Sequence, residues 1–123
     1  MRATAVLLLP TSERRLVWVH WAGKVRPGVV LRLALGEPSH LVLYGTTHMH
    51  PTWPAVFVAH ASRAGKRWQL TQDTWFYGAN FCVLRVVDIV RSTDYAPPGL
   101  FAELTLLARP HLAPTALPDG GDA

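Results

Sequence analysis

Leu16-Val17-Trp18-Val19-His20-Trp21-Ala22-Gly23-Lys24-Val25-Arg26-Pro27-Gly28-Val29-Val30-Leu31 is the stretch on which the fold turns. Its first six residues are β-branched, aromatic and aliphatic, without helical periodicity, and predict a strand. Residues 22–25 form a short loop. Pro27 has a locked φ and drives the residue before it into extended backbone, so Arg26 leaves the loop at a stiff strand start. Residues 28–35 predict a second strand, with Arg32 at an exposed place.

Outward from this pair, strand signals continue. Gly36-Glu37-Pro38 is a turn, because Gly and Pro tolerate or impose turn dihedrals. Residues 40–44 predict a third strand, which runs into Gly45-Thr46-Thr47. A Pro-bounded loop, 48–54, leads to a fourth strand at 55–60. Residues 62–66 read as a basic turn with Lys66, and 67–71 and 81–90 as further strands, with 74–80 the connection between them. Pro97 and Pro98 suit a helix start, and Leu100, Phe101, Leu104 and Leu107 follow at helical spacing. Five or six short strands followed by one helix predict a mainly-β fold, a small and strongly bent barrel with a C-terminal helix packed on it.

The chain of 123 residues reads as one domain. It is divided into a short extension or extra strand at 1–13, the barrel at 14–108 and a flexible Pro- and Gly-rich tail at 109–123. A chain of this size buries roughly two-thirds of its unfolded surface and needs no metal or disulfide to fold. A single cysteine, Cys82, excludes an internal disulfide and a Cys-based zinc site. It sits among apolar neighbours as an inert thiol, and a reducing cytoplasm is the expected location. No apolar run approaches the roughly 20 residues of a membrane helix. No phosphate-loop, Gly-x-Ser-x-Gly or His-Glu-x-x-His pattern is present, so nucleotide hydrolysis and zinc proteolysis find no support.

Twelve Lys and Arg face eight Asp and Glu. Two of the acids, Asp119 and Asp122, lie in the last five residues, so the rest of the chain is more basic than the net +4 suggests. An Arg-rich domain with five Trp points to a polyanion partner, most simply nucleic acid. Net charge kept for solubility is the competing explanation. Trp53, Trp68, Trp75, Phe76 and Tyr77 serve either as base-stacking groups or as core. In an extended segment Trp75 and Tyr77 would share strand parity and Phe76 would oppose them, so that at most one of these sets would face the core. His48-x-His50, with His40 and His60 elsewhere, lacks an acid or Cys partner and reads as a solvated loop rather than a metal site.

The ordered set Leu16–Trp21, Arg26-Pro27 before Val29-Val30-Leu31, and Gly45-Thr46-Thr47 at the end of a third strand resembles the MazF/PemK family of toxin endoribonucleases. The resemblance spans residues 16–107 and implies a small SH3-like barrel of the CcdB/MazF type. It implies metal-independent, sequence-selective RNA cleavage with no cofactor. The ribose 2′-OH attacks its own phosphate and leaves a 2′,3′-cyclic phosphate and a 5′-OH end. Arg26 matches the family Arg that stabilises the phosphorane, and Thr46 and Thr47 match the hydroxyls that orient the phosphate. The general base is open among His20, His48 and Asp73. Lys24, Arg32, Lys66, Arg67 and Trp75 are expected to contact RNA. A homodimer and a small acidic antitoxin complete the implied partners, the latter complementary to the basic chain. The chain departs from the family in carrying Arg14-Arg15 where Gly-Asp is usual, and in a shortened 22–25 loop without a carboxylate. A non-catalytic barrel of the same fold, binding nucleic acid or protein, and a structural subunit of a larger assembly are the alternative functions.

Overall fold

The computed structural model describes residues 13–33 and 39–112. Six strands make one antiparallel sheet: β1 (Arg15–Trp21), β2 (Lys24–Leu33), β3 (Ser39–Thr46), β4 (Ala55–Val58), β5 (Thr74–Arg85) and β6 (Ile89–Tyr95). Their order across the sheet is β4-β5-β3-β2-β1-β6. Two helices, α1 (Arg63–Trp68) and α2 (Pro98–Ala108), complete it, with single 3-10 turns at Val86–Asp88 and Arg109–His111. A mainly-β fold with a C-terminal helix is therefore what the chain adopts. No helix among the described residues is long and apolar enough to cross a membrane.

Strand alternation builds a core on each face of the sheet. Leu16, Val29, Leu43 and Phe76 face the helices and pack with Trp68, Leu104 and Ala108. Val17, Val19, Val30, Val42, Cys82 and Leu84 pack on the opposite face, flanked by Trp21, Tyr44 and Ile89. Register shifts interrupt the ladders at Leu16/Val17 and Trp18/Val19 in β1, Val30/Arg32 in β2 and Leu43/Gly45 in β3. Each such shift bends a strand and raises its twist, which curls the sheet.

The β1–β2 connection is tighter than the sequence suggests. Trp21 pairs directly with Lys24, leaving Ala22 and Gly23 as the turn, both at positive φ (54° and 81°). Two such residues are the tight hairpin turn that matches sheet twist. Lys24 and Val25 thus stand on a strand rather than in a loop, in line with Arg26.

Three boundaries differ from expectation. Residues 62–66 are not a turn and 67–71 are not a strand. Instead Ser62 caps α1, its Oγ accepting from Gly65 N at 3.0 Å, and Gln69 closes the helix in the left-handed region. Gly65 signals a turn in the sequence, but a side chain there would run into the carbonyls of Ala59 and His60, so close packing requires it. Residues 74–80 are not a connection: they form the first half of β5. There Gly78 admits the Leu107 carbonyl at the end of α2, as a strand glycine does where another backbone approaches closely. Finally, the strand expected at 81–90 ends at Arg85 and resumes as β6 after the 3-10 turn. The expected extension at 1–13 lies outside the described residues except for its last, and so does most of the 109–123 tail. Leu112, within that tail, packs on the helix-side core.

Trp68 locks α1 to the sheet. Its buried indole stacks on Phe76 at 5.0 Å and donates from Nε1 to Gly28 O at 2.9 Å, while its own carbonyl accepts Trp18 Nε1 at 2.7 Å. The bond to Gly28 fixes β2 two residues beyond Arg26. Gly28 in turn leaves no room for a side chain, since a Cβ would lie 2.7 Å from Val42 Cγ1.

Candidate functional site

A cleft of about 110 Å³ opens where β2 begins and β3 ends, lined by Lys24, Val25, Arg26, Pro27, Gly45, Thr46, Thr47, His48 and Thr74. It contains two cations, three Thr hydroxyl groups and one imidazole, and no carboxylate. β2 and β3 pair with Gly28 opposite Tyr44. Continuing that register sets Arg26 opposite Thr46, on the face away from the helices. The Arg26 guanidinium lies 5.3 Å above the Tyr44 ring, and its Nε donates to Trp21 O at 3.2 Å. One edge of the fork is thus tied to the hairpin. No ion pair to Arg26 forms among the described residues, and its terminal nitrogens can meet an anion with two parallel bonds.

Thr46 Oγ1 accepts the backbone N–H of His48 at 3.1 Å. That bond turns the chain after β3 and leaves the hydroxyl proton to point at a ligand. Gly45 has a structural cause. A Cβ there would strike Thr74 Cγ2 and meet Phe76 Cζ at 2.9 Å, so it permits β3 to lie against β5.

The three candidate bases separate in space. His48 lines the cleft. His20 is exposed and shares the parity of Leu16 and Trp18, which face the helices. It therefore stands on the other face of β1 from Arg26. Asp73 accepts from His60 twice, from the backbone N–H at 2.9 Å and from Nδ1 at 2.7 Å. The backbone bond first and the ring bond second hold its carboxyl below the ordinary 3.8. His60 escapes sequence reading as Asp73's partner because the ladder that brings them together, Val58 on Thr74, runs through residues read as a loop.

Among the expected RNA contacts, Lys24 lines the cleft. Trp75 pairs with Thr46 on one side and Phe57 on the other, its ring 5.0 Å from Phe57. Arg32 lies at the far end of β2, opposite Leu41. Lys66 and Arg67 ride on α1, on the helix side of the sheet, and Arg67 Nη1 donates to Tyr95 O at 3.4 Å.

Tyr77, read from the sequence only as a base-stacking or core ring, braces the loop that follows β3. Its hydroxyl accepts His50 N at 2.6 Å and donates to His48 O at 3.4 Å. Parity with Trp75 is the signal that marks it, once 74–80 is read as strand. His50 stacks on Trp53 at 4.0 Å, and both meet the Tyr77 ring edge-on. Among the described residues no three His, Cys, Asp or Glu groups come together as metal ligands. Cys82, on the face opposite the helices, is buried. Burial pushes its thiol up to about 12, the Arg26 charge opposes that rise, and Asp88 adds to it.

No protein-family model matches the chain, and no curated protein matches it in sequence. Its structure, however, is similar to that of Mycobacterium tuberculosis toxin MazF-mt6, with a TM-score of 0.60 at 18% identity over 77% of this chain and 92% of that one. It is also similar to an endoribonuclease from a mycobacterial species solved in complex with its cognate antitoxin, with a TM-score of 0.58 at 13% identity, over 88% of this chain and 94% of that one. The chain has the fold of the MazF toxins.

Proposed function

We propose that this chain, carrying the MazF toxin fold, is an endoribonuclease that cuts RNA at a phosphate held between Arg26 and Thr46. One observation carries the reading: a small cleft that gathers Lys24, Arg26, Thr46, Thr47 and His48 and has no carboxylate in its lining. Such a lining suits a phosphodiester and repels no anion.

In the proposed reaction the 2′-oxygen attacks the adjacent phosphorus in line, the bond from phosphorus to the 5′-oxygen breaks, and the departing 5′-oxygen takes a proton from solvent water. The products are a 2′,3′-cyclic phosphate and a 5′-OH end. His48 takes the 2′-OH proton; of the three candidates it alone lines the cleft, and imidazole suits proton transfer at neutral pH. Arg26 holds the non-bridging oxygens and stabilises the added charge of the phosphorane. Thr46 and Thr47 donate hydroxyl bonds that fix the phosphate for in-line attack. Lys24 neutralises the strand at the mouth of the cleft. The cationic side chains supply the charge stabilisation, so cleavage is expected to persist with chelator present.

The same reading makes the chain the toxin of a pair, restrained by an acidic antitoxin and active as a homodimer. The basic balance of the chain and exposed apolar groups such as Val83, Val90 and Leu106 support protein partners. Cleavage of a long mixed-sequence RNA, with Arg26→Ala alongside, tests the reading. Discrete cuts lost in the variant support it. Intact RNA, from folded protein free of inhibitor, would leave a non-catalytic binding module.

A further inference from the structure

Beside the cleft lies a second cavity, of about 220 Å³, lined by Trp53, Pro54, Tyr77, Gly78, Ala79 and His111. The two have no lining residue in common, but one hydrogen bond joins their linings. Tyr77 lines this cavity, and its hydroxyl bonds to the backbone of His48, which lines the cleft. We propose that the cavity receives a nucleobase of the substrate RNA, next to the phosphate held at Arg26 and Thr46. This rests on the ribonuclease reading above and adds a specificity site to it.

Size, surface and placement all bear on the occupant. A cavity of roughly 150 Å³ takes up benzene, so this one admits a larger heteroaromatic ring. Its walls are aromatic and apolar, with the His111 imidazole as a polar edge. Trp53 is 49% exposed, an unusual state for an indole in a structured loop. His50 covers one of its faces and Tyr77 meets its edge, so the ring is already immobilised before anything binds. Stacking on a pre-ordered ring loses little side-chain entropy. An apolar segment of a protein partner would fit the walls as well. The Tyr77–His48 bond places the cavity one hydrogen bond from a cleft of two cations and no acid, which favours a ligand that carries phosphate and base together.

The Tyr77 hydroxyl gives the cavity a route to the chemistry. It ties His48 and His50 to the floor of the same pocket, so a base seated against Trp53 and Tyr77 presses on the loop that presents His48. Tyr77 is a positioning residue in this scheme and touches no reacting atom.

The experiment uses the full chain and an RNA spanning a mapped cut, with 2′-deoxyribose at the cleaved nucleotide to prevent reaction. Each base flanking the cut is replaced in turn by an abasic residue, and affinity is measured for the native chain, Trp53→Phe and Trp53→Ala. One abasic position should weaken binding to the native chain about tenfold, the size of one base–aromatic stack. That same position should cost Trp53→Ala almost nothing, because its stacking partner is already gone. Trp53→Phe, which keeps a ring, should lie between. Equal abasic effects in native and Trp53→Ala protein would overturn the inference, as would a Trp53→Ala change confined to self-association. A native chain that neither cuts RNA nor binds it through Arg26 would instead bring down the ribonuclease reading, and this inference with it.

Discussion

At the scale of single residues, the proposed cleavage asks different things of side chains that would hold the phosphate and of side chains that merely lie near it. Arg26→Ala should leave the melting temperature close to native, because its neighbours Trp21 O and Tyr44 belong to the ladder regardless. Cleavage should fall by about 10²-fold or more, the usual cost of removing a donor to a developing oxyanion. Arg26→Lys keeps the charge but loses the planar fork, and should recover only part of the rate. His48→Ala should abolish most turnover, while Asp73→Asn should leave it near native, measured as single-turnover rates on one RNA. Asp73 has a different signature. Its folded-state pKa is depressed by the His60 bonds, so its stabilising effect is present above the ordinary carboxylate value and is lost as pH falls through the depressed one. Thermal melts of native and Asp73→Asn protein should differ at pH 7 and converge in strong acid. Cys82, buried and pushed up to about 12, should resist iodoacetamide in the native state and react only on unfolding.

At the scale of elements, the stability of the site depends on Trp68. Trp68→Ala should cost about 3–5 kcal/mol, as large-to-small core changes do. Trp68→Phe should keep a ring against Phe76 but strand the Gly28 carbonyl, at a cost of about 1–3 kcal/mol. Denaturant melts check both, and the Phe variant should also slow cleavage if Gly28 anchors the strand that carries Arg26. The hairpin β1–β2, the third strand and α2 were all legible, because Pro27, the paired apolar runs and Pro97-Pro98 act locally. Helix α1 and the first half of β5 were not. Gly65 and Gly78 look like turn residues in one dimension, yet each is a glycine because a distant backbone approaches it, at Ala59–His60 and at Leu107. Long-range crowding of that kind leaves no local signal. Arg26 and Thr46 were legible for the opposite reason: each sits at the end of a strand whose pairing follows from the hydrophobic pattern. The Tyr77 bonds to His48 and His50 and the Asp73–His60 contact were hidden because they required β5 to be seen as one strand.

At the scale of the whole molecule, the chain presents a curled sheet with Lys24, Arg26 and three threonine hydroxyl groups at one corner, in the fold of the MazF toxins. Charge should dominate weak binding. Affinity for uncleavable single-stranded RNA should fall with salt at a log–log slope of roughly −0.7 per phosphate contacted. Lys24→Ala should make that slope shallower by about one contact, whereas Lys66→Ala on the far side of the sheet should not. The central claim is the cut itself. The most direct measurement is incubation of folded, inhibitor-free protein with long mixed-sequence RNA in chelator, followed by mapping of the new ends, with Arg26→Ala as the parallel sample. The account predicts discrete cuts bearing 2′,3′-cyclic phosphate and 5′-OH ends, absent from the variant. RNA left intact by the native chain, or cut equally by the variant, would contradict it.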